Sequence, residues 1–120
     1  MSTFKDSVAL VTGGGSGIGR ATAVTLAAQG ARVIITGRRS EPLERVAQAH
    51  KNIVKLVADV AEPTDAANSV AKAVESWGRL DILVNNAGAG ALAPLADVTA
   101  ERIREIFAVN VVGPSLLARE

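Results

Sequence analysis

The chain has no cysteine and no tyrosine, a single histidine, and only two phenylalanines and one tryptophan. Each scarcity excludes a chemistry. Without cysteine there is no disulfide framework, thiolate nucleophile or iron–sulfur site, and His50 alone cannot build a histidine metal cluster. Aromatics at 2% of 120 residues provide no platform on which nucleic-acid bases could stack. A charge excess of one sign is missing too. The 13 Lys/Arg and 12 Asp/Glu leave a formal net charge of +1 and are interspersed, so no nucleic-acid partner is expected. No apolar run approaches the ~20 residues of a membrane helix, and the opening Met1 to Asp6 is polar. The expectation is a cytoplasmic protein with no membrane partner.

What the chain does have is 48% hydrophobic residues, and a domain of this length buries about 65–70% of its unfolded surface. Residues 1–120 are therefore expected to form a single domain. Short β-rich runs alternate with longer alanine-rich stretches, which is the pattern of βαβ units and a parallel sheet. Strands are predicted at 8–12, 32–36, 53–58 and 81–85. The second, Arg32-Val33-Ile34-Ile35-Thr36, is continuous rather than alternating in polarity, as a strand covered on both faces should be.

Between them the spacing predicts helices. The first covers 18–29, with Ile18, Ala21 and Leu26 as candidates for one apolar face and Gly30 closing it. The second covers 41–50, with Leu43, Val46 and Ala47 inward. The third starts around Pro63, where a missing N–H does no harm, and ends at Gly78. Its Val70, Val74 and Trp77 recur at helical spacing, which makes Trp77 a sheet-covering residue rather than a binding platform. A last helix starts near Thr99, its cap, with Glu101 in the first turn. There Ile103, Ile106, Phe107 and Asn110 share a face before Gly113-Pro114. Right-handed crossovers fold these units into an α/β, Rossmann-like doubly wound sheet with helices on both faces.

Thr12-Gly13-Gly14-Gly15-Ser16-Gly17-Ile18-Gly19-Arg20 joins the first strand to the first helix. A helix N-terminus exposes unpaired backbone N–H groups, and glycines there let a diphosphate approach without Cβ interference. A flexible turn is the other reading of the same residues. A P-loop is excluded because Gly19-Arg20-Ala21 lacks both the lysine and the magnesium-binding hydroxyl. Gly-x-Gly-x-x-Gly fails as well, since Ile18 falls where its third glycine would stand. Gly13, Gly17 and Gly19 instead form Gly-x-x-x-Gly-x-Gly.

With that spacing the sequence resembles the short-chain dehydrogenase/reductase family along its whole length. Residues 12–19 match the family's cofactor loop, in which Gly13, Gly15, Ser16, Gly17, Ile18 and Gly19 are candidate contacts. Asp59-Val60 matches its adenine-pocket pair, and Asn85-Asn86-Ala87-Gly88 its fourth-strand motif, with Asn86, Ala87 and Gly88 near the cofactor. Asn110, in Val109-Asn110-Val111-Val112-Gly113, matches the asparagine of its active-site tetrad. The resemblance implies strand order 3-2-1-4 and a nicotinamide dinucleotide as cofactor.

A carboxylate at the end of the second strand would bind the ribose 2′-OH of NAD and repel a 2′-phosphate. This chain has Thr36-Gly37-Arg38-Arg39 there, so NADP is favoured over NAD, with Arg38 and Arg39 facing the phosphate. Two solvated loop charges are the plainer alternative. Asp59 accepts from the adenine amino group by resemblance, or simply forms a turn. Asn85-Asn86 can brace the strand ends as readily as touch a ligand.

The resemblance also implies a serine and a tyrosine with a lysine four residues on, and neither partner set is found here. Asn110 is then a remnant of the tetrad, or a buried asparagine satisfying backbone near Gly113-Pro114. The reading is the N-terminal cofactor-binding portion of an oxidoreductase, with a non-catalytic nucleotide-binding or self-assembling module as the alternative. An uncovered Ile82-Leu83-Val84 edge, or the last helix, would favour a homo-oligomer.

Overall fold

A computed structural model describes residues 4–59 and 61–86, together with Ala100, Glu101 and Arg104. The elements run in the order β1 (Val8–Thr12), α1 (Gly17–Ala28), β2 (Arg32–Gly37), α2 (Ser40–Ala49), β3 (Ile53–Val57), α3 (Pro63–Trp77) and β4 (Ile82–Val84). Ala100, Glu101 and Arg104 are helical, as a helix beginning near Thr99 requires. Thr99 itself, the apolar face from Ile103 to Asn110, and Gly113-Pro114 lie outside the described residues.

The strands form one parallel sheet in the order β3-β2-β1-β4. Leu10 aligns with Ile34 on one side and Leu83 on the other, and Ile34 aligns with Val54. Among the described residues β4 pairs with β1 alone. β1 is buried from end to end and β2 at Val33 to Thr36, because helices cover both faces. On one face Ala9, Val11, Val33 and Ile35 pack with Ala23 of α1 and Leu43 and Val46 of α2. On the other, Val8, Leu10 and Ile34 pack with Ala66 and Ala73 of α3.

Two helix faces differ from expectation. Ile18 is 79% exposed and Ala21 is exposed, while α1 turns Gly19 and Ala23 inward. The helix lies too close to β1 for a large residue in its first turn, so the small side chains take the inner stripe. In α3 the buried residues are Ala66, Ser69 and Ala73. Val70 and Trp77 flank them, and Val74 stands half exposed. Trp77 does cover the sheet, and Ser69 offsets its burial by donating to the Asp65 carbonyl at 2.7 Å.

Candidate dinucleotide site

The strand order reverses at β1, whose neighbours β2 and β4 are reached by connections running to opposite faces. In open parallel sheets the crevice at such a point, beyond the strand carboxyl ends, is where ligands bind. The glycine turn occupies this place. Gly14 N–H donates to the Thr36 carbonyl at 3.1 Å, tying the turn to β2. Its opposite tie is to β4, where Thr12 Oγ1 accepts the Asn86 backbone N–H at 3.0 Å and Asn86 Nδ2 donates to the Gly13 carbonyl at 3.2 Å.

Gly17 opens α1 at φ +55, a conformation that L side chains rarely adopt. Gly19 is required by contact. A Cβ there would land on the Gly13 carbonyl and the Asn86 amide, so turn, helix and β4 can meet only without one. Ser16 is the N-cap of α1 but makes no side-chain capping bond, and the first turn carries no acid. The positive end of that helix therefore has no carboxylate of its own competing with an approaching anion.

Gly13, Gly15, Ser16, Gly37, Arg38 and Arg39 line one cleft of about 440 Å³, closed by Pro42 and Leu43. Residues that the sequence separates by about twenty positions thus converge on one opening. Arg38 and Arg39 are both exposed. The short connection from β2 to α2 brings Pro42 and Leu43 against the turn, where a Cβ on Gly15 would sit 3.1 Å from Pro42 Cβ.

Asp59 lies just beyond β3 and is half-buried. Its Oδ1 accepts the Ala61 N–H at 2.9 Å, so the turn-forming role is realised. Its own N–H donates to Asp65 Oδ2 at 2.8 Å, which fastens the loop to α3. Val60, Ala87, Gly88 and Asn110 lie outside the described residues. Thr12, Pro42 and Leu43 were not singled out as site residues from sequence. The signal for Thr12 was a hydroxyl at the last position of an otherwise apolar strand, and for the other two the brevity of the preceding connection.

The family model described as short chain dehydrogenase matches residues 7–120. The chain belongs to that family. Among similar proteins, a ketoacyl reductase 2 assigned to the granaticin polyketide synthase of Streptomyces violaceoruber is 49% identical over 110 residues, covering 88% of this chain and 44% of that protein. Versicolorin reductase 1 of Aspergillus parasiticus is 41% identical over 118 residues, or 94% of this chain and 45% of that protein. The crystal structure of 3-ketoacyl-(acyl-carrier-protein) reductase from Brucella melitensis complexed with NADH superposes with a TM-score of 0.93 at 37% identity. It matches 98% of this chain and 49% of that one. This short-chain dehydrogenase chain spans about half the length of the relatives it matches. Among its described residues no helix is long and apolar enough to cross a membrane, and no group of His, Cys, Asp or Glu could hold a metal.

Proposed function

We propose that this chain is the cofactor-binding portion of an NADP-dependent oxidoreductase that moves hydride between the nicotinamide and a carbonyl or alcohol, and that these 120 residues do not turn over by themselves. One observation carries the reading: the glycine turn shares its cleft with Gly37, Arg38 and Arg39. The residues present fit a dinucleotide. Gly19 keeps the turn close to α1, the N-terminus of α1 is free of acid, and no carboxylate stands at the end of β2. The similar Brucella reductase, complexed with NADH, supports a nicotinamide dinucleotide in this fold.

When bound, the nicotinamide supplies or accepts the hydride. The chain's own residues bind and orient. Backbone N–H groups of the turn take the pyrophosphate, and Arg38 with Arg39 takes the 2′-phosphate. A charge-assisted pair of this kind contributes on the order of 1.5–3 kcal/mol. Asp59 offers its second carboxylate oxygen to the adenine amino group, and exposed Ile18 offers an apolar surface at the start of α1. Ala87, Gly88 and Val60 complete the contacts by resemblance. The chain has no tyrosine to move the proton that accompanies hydride transfer. Self-association through the edge of β4 or the last helix belongs to the same reading.

Fluorescence titration with NADPH and NADH tests it. NADPH is expected to bind more tightly by about ten- to a hundredfold, and Arg38→Asp to reverse that order. An unchanged preference in the variant would overturn the cofactor assignment. Oxidation of NADPH with a ketone substrate by the 120-residue chain would overturn the expectation of no turnover.

A further inference from the structure

A second cleft, of about 390 Å³, lies beside the first and shares Gly15, Ser16, Arg39 and Pro42 with it. The close approach of Gly15 to Pro42 is the saddle between the two. Beyond the saddle the walls are different. Arg20 from the first turn of α1 and Arg45 from α2 join Arg39, with Val46 and Ala49 completing the lining. Among the described residues no acidic side chain lines this cleft.

Arg20 and Arg39 make no ion pair among the described residues, and Arg45 pairs with Glu41 at 3.2 Å with both side chains largely exposed. An exposed pair within one helix is worth little, so an anion can displace Glu41 at small cost. Ser16 also lines the cleft, with its hydroxyl unused as a cap. Three guanidinium groups, two from helices and one from the β2–α2 connection, with one hydroxyl unused as a cap, surround a single opening and are the donors that a phosphate group accepts from.

The geometry points to a second anion subsite, formed by Arg20, Arg39 and Arg45, that takes a phosphate monoester dianion or inorganic phosphate. It shares Arg39 with the cofactor cleft but draws Arg20 and Arg45 from outside it, and it does not require the dinucleotide reading. The phosphate has two sources: the 2′-phosphate of a dinucleotide reaching across the saddle, or free phosphate bound next to an occupied cofactor cleft.

The test titrates the full chain with inorganic phosphate while following the arginine Nε–Hε resonances by NMR. Saturable shifts are expected at Arg20, Arg39 and Arg45. The double variant Arg20→Ala/Arg45→Ala, both substitutions at exposed helix positions where alanine is well tolerated, should bind phosphate about tenfold or more weakly at an unchanged melting temperature. Absence of saturable shifts at Arg20 and Arg45, or wild-type phosphate binding by the double variant, would overturn the subsite. Repeating the titration with NADPH and NADH separates the sources. Displacement of phosphate by NADPH but not by NADH identifies the cofactor's own 2′-phosphate, whereas phosphate binding alongside NADPH identifies the free anion. If neither dinucleotide binds while phosphate does, the proposed function fails and the subsite stands.

Discussion

The two ends of β1 are fastened to β4 by opposite chemistry. At the amino end Asp81 Oδ2 accepts the Val8 N–H at 2.8 Å, while its other oxygen takes Arg79 at 2.6 and 3.0 Å. At the carboxyl end Thr12 and Asn86 make the tie with neutral hydroxyl and amide groups. Both ties hold the same strand pair in register. They differ in what they allow nearby. A carboxylate beside the glycine turn would repel a phosphate and attract Arg38, so the ligand-facing end is held without charge. The far end carries no such constraint, and there an ionic tie costs the site nothing.

The sharpest way to break the comparison is at its neutral end. Gly19→Ala is expected to destabilise the fold by about 3 kcal/mol, because its methyl meets the Gly13 backbone and the half-buried Asn86 amide that is bonded to it. Dinucleotide affinity should fall with it, and a variant that melts like the parent would show that the turn can move off β4. Asn86→Ala comes next, with an expected loss of about 1–2 kcal/mol by denaturant titration, since it removes the donor to Gly13 but leaves the backbone bond to Thr12.

The smallest effect is expected at the charged end, and it alone depends on pH. The Arg79 guanidinium and the Val8 amide hold the Asp81 carboxyl below its ordinary value. Its stabilisation is therefore present above the unfolded-state value of about 3.9 and is lost as pH falls through the depressed folded value. Asp81→Asn should lower the melting temperature slightly at neutral pH, with the gap to the parent closing on acidification. A gap that stays constant down to strongly acidic pH would show that the carboxylate's charge contributes nothing.

Much of this arrangement was legible in the chain. The alternation of β-rich and alanine-rich runs placed every described element within a residue or two, because buried parallel strands and amphipathic helices differ in period and composition. The glycine spacing and Gly37-Arg38 were readable for the same local reason. The face of α2 was legible too, with Leu43 and Val46 inward, but the inner stripes of α1 and α3 were not. Ile18 looks like a core residue by spacing, and only the proximity of α1 to Gly13 and Asn86 turns it outward and gives the inner place to Gly19. Val74 fits a helical stripe equally well, yet alanines and Ser69 take the closest approach to the sheet. The role of Asp59 was open, and the loop that carries it shows the turn-forming bond to Ala61.

Period, composition and the order of its motifs determined by themselves that this chain is a parallel α/β fold with a glycine turn after its first strand and no acid after its second. Local backbone preference and burial pattern suffice for that. Tertiary structure alone decided that Arg39 lines two clefts, that Arg20 and Arg45 line one of them together although 25 positions separate them, and that Asn86 locks a turn more than seventy residues away. Such juxtapositions depend on which helix crosses to which face and on how closely small residues let backbones approach, and neither distance is written in any one segment.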